Sequence, residues 1–165
     1  MYSRILVPVD GSQTGRLGVQ EAIRLAKSFK TPARLRLVHV IDDFPMLVEM
    51  SNVISFEKTR QALRDHGSTL LKQARQLAVA CDVEADISLR EATGARIARA
   101  VIDEAKEQGC DLIVMGTHGR RGITRLALGS DADLVVAESP VPVLLVRGQP
   151  QEEQADIVSN PLVKL

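Results

Sequence analysis

The residues of this chain best suited to chemistry are two glycine-bearing turns in its second half. Gly116-Thr117-His118-Gly119-Arg120-Arg121-Gly122 follows an apolar run, and Gly129-Ser130 lies ten residues beyond Gly119, giving the spacing G-x2-G-x9-G-S. Glycine at 116 and 119 permits positive φ and lets backbone pass close to a ligand. Gly129-Ser130, at the start of a helical pattern, leaves free helix amides open to an anion, and phosphate is the anion such an arrangement suits. The Ser130 hydroxyl can donate to a phosphate oxygen or cap its own helix. The plain alternative is that glycines after a strand only punctuate a turn, and spacing alone does not separate the two. The pattern is neither a Walker loop, since the Gly-Lys-Ser/Thr end is missing, nor a GxGxxG fingerprint. Arg120, Arg121 and Arg125 add positive charge nearby, although a solvated face is the commoner fate of any one of them.

Other reactive side chains give less. Asp10, in Val9-Asp10-Gly11-Ser12, reads by residue type as a turn or cap residue. His118 sits in a turn, where a structural role is commoner than acid/base work. Paired carboxylates, a Ser/His/Asp set and a metal-ligand cluster are all missing from the pattern, so neither catalytic nor metal residues are assigned. Cys81 and Cys110 are the only thiols and fit no CxxC or Cys/His spacing, which argues against a disulfide framework or zinc and for a reducing compartment, the cytoplasm.

The glycine turns need elements to carry them. Ile5 to Val9 is a short apolar run stopped by Asp10-Gly11-Ser12, the pattern of a strand buried on both faces. From Gln13 to Lys30 apolar residues recur at three- and four-residue steps behind Ser12 as cap, a helix that Pro32 ends. Ala33 to Ile41 reads as the second strand, 42–55 as a loop carrying a helical turn, and Glu57 to Ala80 as an amphipathic helix. Val83 to Arg90 alternates at period two, as an edge strand does. A helix over 94–108, a buried strand over 111–116, a short helix over 130–138 and a last strand over 141–146 complete the order, ahead of a polar tail at 148–165.

This alternation predicts an α/β fold with an open five-stranded parallel sheet and helices on both faces, because each parallel connection needs a crossover. Covering both faces requires the strand order to reverse once, as in 3-2-1-4-5. Ligands of such sheets bind beyond the carboxyl ends at that reversal, here the loops after Val9 and Met115.

Bulk composition sets the partners. A length of 165 residues suits one domain, and 45% apolar against 25% charged residues is a globular balance. Lys plus Arg and Asp plus Glu number 21 each, so no overall field recruits nucleic acid or an acidic membrane. With aromatics at only 2%, stacking platforms for single strands are lacking too. Nowhere do eighteen apolar residues run together, and the opening shows no cleavage-type segment, so neither membrane spanning nor secretion is expected.

Taken together, Ile5-Leu6-Val7-Pro8-Val9-Asp10-Gly11-Ser12, His39-Val40, Gly116-Thr117-His118-Gly119-Arg120, Gly129-Ser130 and Ser139-Pro140-Val141-Pro142-Val143-Leu144-Leu145-Val146-Arg147 resemble the universal stress protein family over residues 1–147. The G-x2-G-x9-G-S/T signature is that of the family's ATP-binding branch. The resemblance implies a single Rossmann-like domain, similar to the adenine nucleotide alpha hydrolases, that binds ATP, or AMP or ADP. It implies that Pro8, Val9 and Asp10 hold the adenosine, with Asp10 accepting from ribose hydroxyls. Val40 and Met115 would line the adenine pocket, and Gly116, Gly119, Gly129 and Ser130 would surround ribose and phosphates. The function expected is that of a nucleotide-dependent sensor or partner-binding module in the stress response. The alternatives are a dimeric interaction module with a vestigial site and an enzyme that hydrolyses ATP slowly.

One position departs from the pattern. Similar ATP-binding members carry a small or apolar residue after Gly-Ser, whereas this chain has Asp131, with Asp133 soon after. A carboxylate in a first helical turn is favoured by the helix dipole. It would compete with phosphates for that positive end, or help to hold a divalent cation such as Mg on them. The last strand raises a separate expectation. As a sheet edge, Val141, Val143, Leu144, Leu145 and Val146 present apolar groups on both faces without a guarding charge, so pairing with a second copy across a two-fold axis, giving a homodimer, is expected. The tail, with Pro161-Leu162-Val163, is the other possible cover.

Overall fold

Ile5, Leu6 and Val7 are fully buried, with Ile5 and Val7 in one apolar cluster and Leu6 in another. A strand with opposite faces in two cores must lie inside a sheet covered on both sides. This strand is β1 (Arg4–Pro8). In the computed structural model, which describes residues 1–42, 53–92, 96–117 and 128–148, it is the middle of five. The others are β2 (Arg34–Ile41), β3 (Ala85–Glu91), β4 (Leu112–Gly116) and β5 (Val143–Val146). Their order is β3-β2-β1-β4-β5 and every pairing is parallel, so the α/β class and the strand order are as the sequence predicts.

The helices are α1 (Gln13–Lys27), α2 (Val53–Ala80), α3 (Ile97–Glu107) and α4 (Ser130–Glu138). On one face Val19, Ala22 and Ala26 of α1, with Leu71, Ala74 and Ala78 of α2, pack on Ile5, Val7, Leu35, Leu37 and Val114. On the other face Ala98, Val101 and Ile102 of α3, with Ala132 and Val135 of α4, pack on Leu6, Val38, Ile113 and Met115. Among the described residues no helix is long and apolar enough to cross a membrane.

Several boundaries differ from the sequence reading, each for a local reason. Helix α1 stops at Lys27 rather than Lys30, because the Ser28 amide and hydroxyl both donate to the Leu25 carbonyl and close the last turn. Helix α2 begins at Val53, inside the stretch read as loop, and 43–52 lie outside the described residues. Helix α3 begins at Ile97, after Arg96 with extended backbone, and Gly94 is outside the described residues. Strand β3 is shifted to Ala85–Glu91, because the Val83 amide donates to Ala78 and ties that residue to the helix end. Strand β5 is shorter than 141–146, because Pro142 has no N–H and contributes only its carbonyl, to the Ile113 amide. Of the tail read as polar, only Gly148 is described.

Polar ties complete the frame. At the amino ends of β1 and β4, Asp111 accepts from the Ser3 amide and hydroxyl at 2.8 and 2.7 Å and from the Arg4 amide at 3.0 Å. On α3, the fully buried Glu104 accepts from Arg36 Nε of β2 at 2.7 Å and from Arg90 Nε of β3. Burial raises the Glu104 carboxyl, but hydrogen bonds from Arg36, Arg90 and Ser88 outweigh it and hold the group below the usual carboxylate range. A buried carboxylate with two guanidinium partners persists because breaking either pair would strand a charge.

Candidate functional site

Strand β1 pairs with β2 on one side and β4 on the other, so the connections after Pro8 and Gly116 leave the sheet in opposite directions and open a crevice between them. A cavity of about 580 Å³ lies there, within the usual size range of small-molecule sites. Pro8, Val9 and Asp10 line it from β1, Val40 from β2, Met115 and Gly116 from β4, and Gly129, Ser130 and Asp131 from the start of α4. Nine of the ten residues expected at the site therefore share one cavity, and the tenth, Gly119, lies outside the described residues. The same holds for His118, Arg120, Arg121, Gly122 and Arg125.

The β1 turn is built by its own side chains. Asp10 Oδ1 accepts from the Ser12 amide at 2.9 Å and its hydroxyl at 2.7 Å, while Ser12 Oγ accepts from the Gly15 amide at 2.9 Å and caps α1. Gly11, at φ +79, makes the reversal possible. A Cβ on Gly15 would sit 2.2 Å from Asp10 Oδ1, so glycine there is what lets the carboxylate tuck under the helix. The turn-residue reading of Asp10 is thus correct for one oxygen. The other, Oδ2, accepts no hydrogen bond among the described residues, and Asp10 also lines the cavity.

The β4 side is joined by backbone. Thr117, buried, donates its amide to the Val146 carbonyl at 3.0 Å and accepts at its carbonyl from the Gly129 amide at 2.9 Å. The α4 start is thereby returned to the end of β4 across the intervening residues. Gly129 is the α4 N-cap without a side-chain cap bond, so the first-turn amides keep their donor capacity. Gly116 is glycine for a reason the sequence reading missed. Its φ is not positive, and a Cβ there would lie 2.7 Å from the Thr14 carbonyl carbon and 2.8 Å from its oxygen. Close approach of α1, rather than of a ligand, requires glycine at this position.

The cavity also takes residues the sequence reading did not single out as cavity-lining. His39 is buried, and its Nδ1 lies 2.6 Å from the Val9 carbonyl; since a carbonyl only accepts, Nδ1 carries the proton. With the Val9 amide bound to Val38 O at 2.8 Å, this fixes the chain segment that borders the crevice. Leu63 and His66 reach the cavity from α2, Ile97 and Val101 from α3, and Asp42 from beyond β2. A Cβ on Gly67 would sit 2.4 Å from His39 Cδ2, so α2 comes down onto that ring only because residue 67 lacks a side chain. The Asp-Gly-Ser turn and the His39-Val40 pair were visible in the sequence; the α2 contribution had no signal beyond an amphipathic stripe.

In chemical terms the cavity has an apolar floor of Val38, Val40, Val101 and Met115 and a polar rim of Asp10, Ser130 and Asp131. Lysine and arginine are missing from its described lining. Cys110 lies elsewhere in the α3 core, where burial pushes its thiol up to about 11, so it is no activated nucleophile. Among the described residues no cluster of His, Cys, Asp and Glu is arranged to hold a metal ion.

A family model described as the universal stress protein family matches residues 1–147. Universal stress protein MJ0531 of Methanocaldococcus jannaschii is 31% identical over 153 residues, covering 93% of this chain and 86% of its own length. The solved structure of hypothetical protein MJ0577, from the same organism, superposes with a TM-score of 0.80 at 22% identity, covering 91% of this chain and 99% of that one. The universal stress protein of Archaeoglobus fulgidus in complex with dAMP superposes with a TM-score of 0.59 at 19% identity, covering 88% and 98%. With its family match, its strand order and its crevice all in agreement, the chain belongs to the universal stress protein family.

Proposed function

We propose that the crevice binds an adenine nucleotide, ATP or its mono- or diphosphate, and that the protein works in the cytoplasm as a nucleotide-dependent sensor or partner-binding module in the stress response. The observation that carries this reading is the cavity beyond β1 and β4, with an apolar floor and, at its rim, the α4 N-terminus without a side-chain cap. A base fits the apolar part between Val40 and Met115; a ribose fits beside Asp10, whose Oδ2 is available to accept from hydroxyls. Pro8 and Val9 hold the adenosine from the β1 end. Phosphates take the first-turn amides of α4 from Ser130 onward, since the Gly129 amide is held by the Thr117 carbonyl, and Gly129 and Gly116 border the same path. The dAMP complex of the Archaeoglobus relative supports an adenine nucleotide as ligand class. Two free cysteines, Cys81 and Cys110, agree with a reducing compartment.

The active form in this reading is a homodimer joined through residues 141–146. Its support is the position of β5 at the sheet edge, with Leu144 37% exposed. Titration of nucleotide-stripped full-length protein with ATP and AMP tests the nucleotide. Saturable binding of either below millimolar concentration is expected; binding of neither leaves the dimeric interaction module as the function.

A further inference from the structure

We infer that Asp131 makes this crevice selective for nucleotides of low phosphate charge, so that in the absence of divalent cations it takes a nucleoside monophosphate in preference to the triphosphate. This inference rests on the nucleotide reading of the site and specifies its ligand class. Asp131 is the second residue of α4, half-buried, and lines the cavity next to Ser130. The positive end of a helix is equivalent to about half an elementary charge, so one carboxylate in its first turn can more than cancel it locally. Asp10 and Asp42 line the same cavity and add two further carboxylates. A monophosphate can bind the first-turn amides while meeting this negative rim with one phosphate group. Each further phosphate adds charge against the same carboxylates.

Asp133 provides the internal comparison. It stands in the same first turn and carries the same charge, but it is exposed and absent from the cavity wall. A local carboxylate effect belongs to Asp131 alone, whereas a general effect of helix charge would belong to both.

The test is calorimetric titration of stripped, full-length protein with AMP, ADP and ATP, in EDTA at constant ionic strength. Wild type, Asp131→Asn and Asp133→Asn are compared after circular dichroism has established that each is folded. Wild type is expected to bind AMP about tenfold more tightly than ATP, the size of effect that charges several ångströms apart produce in a water-accessible site. Asp131→Asn should bring that ratio to within about threefold, while Asp133→Asn keeps the wild-type ratio. An AMP-to-ATP ratio that Asp131→Asn leaves unchanged, or that Asp133→Asn shifts equally, overturns the inference while the nucleotide reading stands. Absence of binding by all three nucleotides overturns both.

Discussion

The amide of Gly129 donates to the carbonyl of Thr117 at 2.9 Å, while the amide of Thr117 donates to Val146 at 3.0 Å. One residue at the end of β4 therefore fixes both the last strand and the start of α4. Two turns that are separate in sequence share a rim because of this bond, and the cavity between Asp10 and Ser130 exists because the rim is closed there.

Gly116→Ala should destabilise the protein by about 1–3 kcal/mol, the usual range for inserting a methyl group where backbone already packs. The new Cβ would lie 2.7 Å from the backbone of Thr14, which cannot swing aside as a side chain can. Urea unfolding measures the loss. A midpoint equal to wild type would mean that α1 moves away from β4 at no cost.

Asp10 separates folding from binding. Asn keeps an oxygen that can accept from Ser12, so Asp10→Asn should fold normally while AMP affinity falls about tenfold, the loss expected for hydrogen bonds to a charged acceptor. Asp10→Ala loses the turn as well and should cost about 1 kcal/mol of stability. Isothermal titration and thermal melts of both variants check the split. Unchanged affinity in Asp10→Asn would assign Asp10 to the turn alone.

Glu104→Ala should cost about 3 kcal/mol, because Arg36 and Arg90 would remain in place around an emptied carboxylate site. Denaturant unfolding of Glu104→Ala and of the double variant with Arg36→Ala checks this. A double variant no less stable than the single one would show that stranded charge is the source of the loss.

Acid should weaken the same frame. Burial raises the carboxyls of Glu104 and Asp111, and their hydrogen bonds more than reverse it; Glu91 is lowered mainly by its hydrogen bonds from Arg64 and Arg60. All three thus sit below their unfolded values, near about 4.3 for Glu and about 3.9 for Asp. Their stabilising contribution is complete above those values and is lost as pH falls through the lower folded ones. Unfolding midpoints should stay level from neutral pH to about 5 and then decline, more gently in Glu104→Gln. An equal decline in that variant would remove Glu104 from the effect.

Leu144→Lys should produce a monomer by light scattering at micromolar concentration, since a charge on an exposed strand edge blocks pairing with a second copy. A wild-type protein that is already monomeric at that concentration would dispose of the β5 interface.

The sequence alone determined the alternation of strands and helices, the burial of Ile5 to Val7 on both faces, and the reversal of strand order that places a crevice after Val9 and Met115. These follow from local rules: apolar runs, period-two alternation, three- and four-residue spacing, and the need to cover a sheet. What the tertiary structure decided depends on partners far away in the chain. Glu104 looks like the wet face of an amphipathic helix until Arg36, 68 residues before it, and Arg90, 14 before it, meet it in the core. Gly116 looks like a ligand-facing glycine until Thr14 is found against it, and His66 has no pattern of its own until Gly67 lets α2 settle on His39. Periodicity encodes which face of an element is apolar, but which residue of a distant element meets that face is set by packing, where close approach and charge pairing act between segments that local pattern treats separately.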